Sequence, residues 1–163
     1  MPAAALQVSR EARLQSPPEA IWPLVDDPVA MGRWFAFADS IELLDGEGVG
    51  RRQRMHGHWG RKQSEIDQEV VSFRPPQTLA WRHLAERLNG KPAPRFAEET
   101  LFTVTLTPEG NGTRVRLESR QQPASRPRGL VMRLFGKREI AQRLEESLTA
   151  LGATLDGATG GGP

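Results

Sequence analysis

After Pro123 and Pro127 the apolar spacing of this chain changes from two residues to three, four or seven, and Leu130, Leu134, Ala141, Leu144, Leu148, Leu151 and Leu155 fall on one stripe. Upstream, most apolar positions alternate with polar ones. A single long amphipathic helix following a series of half-buried strands has to lay its stripe on one face of their sheet. One helix cannot fill the concave side of a strongly curved sheet of seven strands, so a cavity is expected between them. Gly136 interrupts the stripe and marks a kink or the boundary between a helical turn and the main helix.

The strands are read from alternation and turn chemistry. Leu6, Val8, Ala12 and Leu14 alternate over residues 6–14, with Arg10 breaking the apolar row. Ser16 is a candidate cap, Pro17 and Pro18 suit the start of a helix, and Ala20, Ile21, Leu24 and Val25 give it an apolar face before Asp27-Pro28 ends it. A second short helix is expected around Val29 to Trp34. A meander follows at residues 41–44, 50–59, 63–73, 78–85, 99–107 and 113–121, punctuated by Asp45-Gly46-Glu47-Gly48, Gly60, Pro75-Pro76, a loop at 89–94 and the tight turn Glu109-Gly110-Asn111-Gly112. The expected fold is α+β: a curved seven-stranded antiparallel sheet wrapped around a long C-terminal helix, with two short helices after the first strand.

A length of 163 residues suits one domain, placed at residues 1–156, with a Gly-rich tail at 157–163 expected to be disordered. No run approaches the ~18 apolar residues that cross a bilayer, and Met1 to Ala5 carries no secretory pattern, so a soluble cytoplasmic protein is expected. The absence of cysteine excludes disulfides, thiolate nucleophiles and Cys-ligated zinc. Twenty-two basic side chains nearly balance twenty acidic ones. The basic groups at Arg51 to Lys62 and Arg126 to Arg143 are interleaved with Glu65, Asp67, Glu69, Glu139, Glu145 and Glu146, and only Trp59 stands among them as a stacking aromatic. They are read as a salt-bridged surface and not as a nucleic-acid site.

Four segments in this order carry a resemblance. They are Ser16-Pro17-Pro18-Glu19-Ala20-Ile21-Trp22-Pro23-Leu24-Val25-Asp26-Asp27-Pro28 with the later Trp34; Gly46-Glu47-Gly48-Val49-Gly50; Pro75-Pro76-Gln77-Thr78-Leu79-Ala80-Trp81; and Gly112-Thr113-Arg114-Val115. Over roughly residues 6–155 the chain resembles the START-like (SRPBCC) superfamily of helix-grip fold, which includes polyketide cyclases, lipid-transfer domains and plant pollen allergens. Its polyketide cyclase or dehydrase-like group is the nearest in character. The resemblance implies a fold and a cavity; it transfers no catalytic residue, because one scaffold hosts carriers, cyclases and receptors.

His56-Gly57-His58 places two histidines on one strand face, with Glu65 or Asp67 across the hairpin. Met55 and Trp59 favour the opposite phase, in which Arg52, Arg54, His56 and His58 face solvent, so no metal or other cofactor is assigned. Trp81 and His83 share a face, and His83 is the one candidate general base or ligand hydrogen-bonding group, with Arg51 or Gln53 as donors to an enolate. Cavity candidates are Trp34, Met55, Trp59, Ile66, Trp81, His83, Phe102, Val104, Leu117, Leu134, Ala141 and Leu144, with the loop at 88–96 and Gly136 controlling access. The leading reading is binding or transport of a small hydrophobic or amphipathic ligand, whether lipid, aromatic or polyketide-like. Alternatives are a cyclase or dehydrase-like enzyme in the same cavity and a regulatory or partner-binding domain.

Overall fold

Residues 4–94, 97–131 and 136–160 are described by the computed structural model, with side chains to residue 157. The elements run β1 (Leu6–Leu14), α1 (Pro18–Asp26), α2 (Pro28–Met31), β2 (Ser40–Asp45), β3 (Arg52–Trp59), β4 (Lys62–Arg74), β5 (Thr78–Leu88), β6 (Lys91–Pro92), β7 (Ala97–Glu109), β8 (Gly112–Pro123), α3 (Arg126–Val131) and α4 (Lys137–Gly160). The seven long strands form one antiparallel sheet in the order β1-β8-β7-β5-β4-β3-β2, and the two-residue β6 pairs antiparallel with the end of β5. This is the helix-grip arrangement, with two short helices between β1 and β2 and a long helix last.

Local chemistry sets the joints. Pro18 opens α1 without a side-chain cap; Ser16 instead accepts a bond at its carbonyl from Thr113 Oγ1 (2.7 Å), tying the chain after β1 to β8. Asp27 ends α1 and caps α2, its Oδ1 accepting from the Val29 amide at 3.0 Å. Trp34 follows α2 and donates its indole N–H to Leu24 O (2.8 Å), which anchors this helical corner. Between β7 and β8 the pair Glu109–Gly112 closes a two-residue turn in which Gly110 has φ +62°. A Cβ at Gly112 would sit 2.4 Å from Leu14 O, so β1 and β8 meet there only around glycine.

Leu144, Leu148, Leu151 and Leu155 of α4 are buried with Leu6 and Val8 of β1, Val104 and Leu106 of β7, and Val115 and Leu117 of β8. Each such side chain stabilises the fold by about 1.5–3 kcal/mol relative to exposure. Arg10, the break in the apolar row of β1, reaches across to Glu145 of α4 at 3.0 Å. The single stripe expected from residue 130 is divided. Leu130 lies on the separate helix α3 and is 59% exposed, because α3 sits at the end of β8 and does not continue α4 across the sheet. Leu134 lies outside the described residues, as does the end of the expected tail; Gly157 to Gly160 continue α4.

Candidate functional site

The inward rows of the sheet build the site. Across β4, β5, β7 and β8 one row is Val70, Trp81, Phe102 and Ser119, and beside it Gln68 faces His83. Toward the end of the sheet the next pair is Ile66 and Glu86, then Ser64 and Leu88. In a regular strand His83 and Glu86, three apart, would point to opposite faces. A bulge between Asp67 and Gln68 in the β4–β5 ladder absorbs one residue of β5 and brings both inward, so His83 Nδ1 lies 3.0 Å from Glu86 Oε1. A carboxylate accepts, so Nδ1 carries the proton toward Glu86, and Nε2 is buried on the interior side.

The wall around His83 is aromatic. Phe102 stacks on Trp81 and His83 with ring centroids 5.7 Å away in each case. Phe35 meets Trp81 and Phe102 edge to face at 5.4 and 5.5 Å, and Phe37 meets Phe102 at 5.1 Å. Phe35 and Phe37 come from the segment after α2, which Arg143 of α4 holds through a 3.2 Å bond to Ala36 O; Ser147 Oγ accepts from the Ala36 amide at 2.8 Å. Three buried polar atoms in or beside this cluster have no hydrogen-bond partner among the described residues: His83 Nε2, Trp81 Nε1 and Ser119 Oγ. Leaving each unpaired costs about 1–3 kcal/mol.

A polar chain crosses the apolar interior from β3 to β4. Arg51 donates from Nη1 to Asp26 O (2.6 Å) and Asp26 Oδ1 (3.1 Å), and from Nη2 to Gln53 Oε1 (3.1 Å). Gln53 Nε2 donates to Gln68 Oε1 at 2.9 Å, and among the described residues Gln68 Nε2 reaches only Met55 Sδ, at 3.7 Å. Gln53 and Gln68 are completely buried.

The inner face opens in a cleft of about 260 Å³ lined by Trp59, Ile66, Glu86, Leu88, Thr100 and Gln121, with Ala93, Pro94 and Ala97 on its rim. This is slightly below the ~300–1,000 Å³ usual for small-molecule sites. Its inner end adjoins the Gln68–His83 row through Ile66 and Glu86.

Of the residues expected from the sequence, Trp81 and His83 both stack on Phe102, and Trp59 and Ile66 line the cleft. Trp59 is 60% exposed, so it forms part of the mouth. Met55 touches Gln68, whereas Trp34, Val104, Leu117, Ala141 and Leu144 belong to the packed core around the site. Phe35, Phe37, Gln68, Glu86, Thr100, Ser119 and Gln121 were not singled out by the sequence. For Gln68 the signal was present, a polar residue in phase with Ile66 and Val70; for Glu86 the bulge hides it.

His56 and His58 lie in the same phase as Arg52 and Arg54, on the outer face of the sheet, where His56 faces Glu42 at 3.6 Å and His58 meets Asp39. No group of three or more potential metal ligands occurs among the described residues. On the same outer face Asp67 is held by Arg87 (2.9 Å) and Arg54 (2.7 Å). Those bonds, Arg87 first, lower its carboxyl from 3.8 to about 2. The stabilisation, on the order of 2 kcal/mol, is fully present above the unfolded value and is lost as pH falls from 3.8 toward 2. Asp67→Asn is expected to lower stability at pH 7 by about that amount and to flatten the acid limb between pH 4 and 2, measured by urea unfolding across pH.

No helix among the described residues is long and apolar enough to cross a membrane. A family model described as polyketide cyclase / dehydrase and lipid transport matches residues 5–156. None of the curated proteins matches the chain. Among solved structures, the chain is similar to the ZhuI aromatase/cyclase of Streptomyces sp. R1128, at 15% identity and TM-score 0.74 over 98% of this chain and 100% of that one. It is also similar to the protein TTHA0849 of Thermus thermophilus, at 19% identity and TM-score 0.74 over 94% and 99%. A third likeness is to Ara h 8.0201, at 12% identity and TM-score 0.67 over 93% and 98%. These likenesses are of fold.

Proposed function

Because the chain belongs to the polyketide cyclase / dehydrase and lipid transport family, we propose that it binds a small amphipathic aromatic or polyketide-like ligand on the inner face of the sheet, taken in through the cleft at Trp59 and Glu86. The observation that carries this reading is the set of unpaired polar atoms, His83 Nε2, Trp81 Nε1 and Ser119 Oγ, buried in or beside rings and next to the cleft. Such atoms are costly in a closed core and useful to a ligand that completes them. Trp59 in the cleft and the ring cluster beyond its inner end favour a flat body over an alkyl chain, and burial of that body supplies the driving force at about 25 cal/mol per Å².

Calorimetric titration checks the proposal. A flavonoid is expected to bind saturably and more tightly than a fatty acid, and Ala97→Trp, which fills the cleft from its rim, is expected to remove binding while the protein stays folded. Absence of saturable binding by any aromatic probe would sink the reading.

A second reading, cyclase or dehydrase-like chemistry, draws on the His83–Glu86 pair. A histidine whose Nδ1–H is held by a carboxylate and whose Nε2 is unpaired is arranged to take a proton from carbon next to a ketone. In that case His83→Ala abolishes turnover while ligand affinity changes by no more than a few fold; retained turnover removes His83 from the chemistry.

A further inference from the structure

The direction of the buried polar chain is fixed at one end. A guanidinium only donates, so Arg51 Nη2 requires Gln53 to present its oxygen, Oε1. Gln53 must then turn its amide nitrogen to Gln68, where Nε2 meets Oε1 at 2.9 Å. Gln68 has no choice left: its oxygen is taken, and its NH₂ group faces the interior with only a thioether at 3.7 Å as acceptor. Gln68 is the register partner of His83 and the inward neighbour of Ile66, which lines the cleft. An oriented, fully buried donor therefore lies one inward-facing position beyond the cleft-lining Ile66.

We infer that Gln68 is a specificity-determining residue, and that the Arg51–Gln53 chain sets its amide so that the site selects ligands leading with a carbonyl oxygen over isosteric ligands without one. This rests on the proposed pocket and narrows its ligand class to aromatic ketones and related acceptors. A donor held by buried neighbours gives up no reorganisation when the ligand arrives, and an analogue lacking the oxygen leaves the N–H groups unpaired. Arg51 and Gln53 act through Gln68 and are positioning residues.

The test uses two probes of one shape, 2-acetylnaphthalene and 2-isopropenylnaphthalene, which differ only in C=O against C=CH₂. Calorimetry on the full chain is expected to give about tenfold tighter binding of the ketone. Gln68→Met keeps the length and removes the donors, so the ketone-to-isopropenyl affinity ratio should fall to within about twofold. Gln53→Glu pairs with Arg51 and accepts from Gln68 Nε2, turning Gln68 Oε1 inward, so the ketone preference should be lost without loss of folding. Equal binding of both probes by the unmodified protein, or an unchanged tenfold ratio in either variant, overturns the inference and leaves the pocket standing. Failure of both probes to bind overturns the inference together with the pocket.

Discussion

Phe102→Ala is expected to destabilise the protein by about 3–5 kcal/mol, the range for removing a buried phenylalanine ring. Phe102 is 4% exposed and its ring touches Trp81, His83, Phe35 and Phe37, so four rings lose a partner at once. Those partners come from β5 and from the segment after α2, and neither can collapse into the space without breaking its own anchors. The sheet fixes Trp81 through its pair with Phe102 in the β5–β7 ladder, and Arg143 with Ser147 fixes Ala36 between the two phenylalanines. For a chain of this size the loss corresponds to a fall in melting temperature of roughly 6–20 °C. Urea unfolding followed by circular dichroism reads it directly. A loss below ~1 kcal/mol would mean that the ring cluster is loosely packed, contrary to the geometry described.

Gln53→Leu is expected to cost about 2–4 kcal/mol although it places an apolar side chain among apolar neighbours. The substitution removes both bonds of Gln53 and strands two buried groups, Arg51 Nη2 and Gln68 Oε1. Each orphan costs about 1–3 kcal/mol, and Arg51 already has an unpaired Nε. Gln53→Glu keeps an acceptor toward Arg51 and should cost much less. If leucine is tolerated as well as glutamate, the chain is not a connected network and its role in orienting Gln68 fails with it.

The fold was legible because its elements are local. The change of apolar period at Pro123–Pro127, the Gly-Asn turn between β7 and β8, and the Asp27-Pro28 joint each name a structure from a few residues. For β3, Met55 and Trp59 favoured one phase without deciding which face His56 and His58 take, and the contacts of those histidines with Glu42 and Asp39 place them on the outer face. The site was only partly legible. Trp81, His83 and Phe102 follow from alternation along their strands, but Glu86 reaches the same face through a bulge that no periodicity shows. Phe35 and Phe37 lie in an irregular segment whose direction is set by contacts with α4, far away in sequence. Gln68 reads as one more polar residue in a charged hairpin until the register places it beside His83 and Gln53.

The protein has three histidines, and only His83 faces the interior; His56 and His58 pair with Glu42 and Asp39 on the other side of the sheet. Side-chain ¹⁵N spectra of these histidines during titration with 2-acetylnaphthalene therefore test most directly whether the inner face is the ligand site. The account predicts that the His83 nitrogen signals move in proportion to saturation while those of His56 and His58 stay fixed. Saturable binding with His83 unmoved, or with His56 and His58 moving in its place, would contradict it.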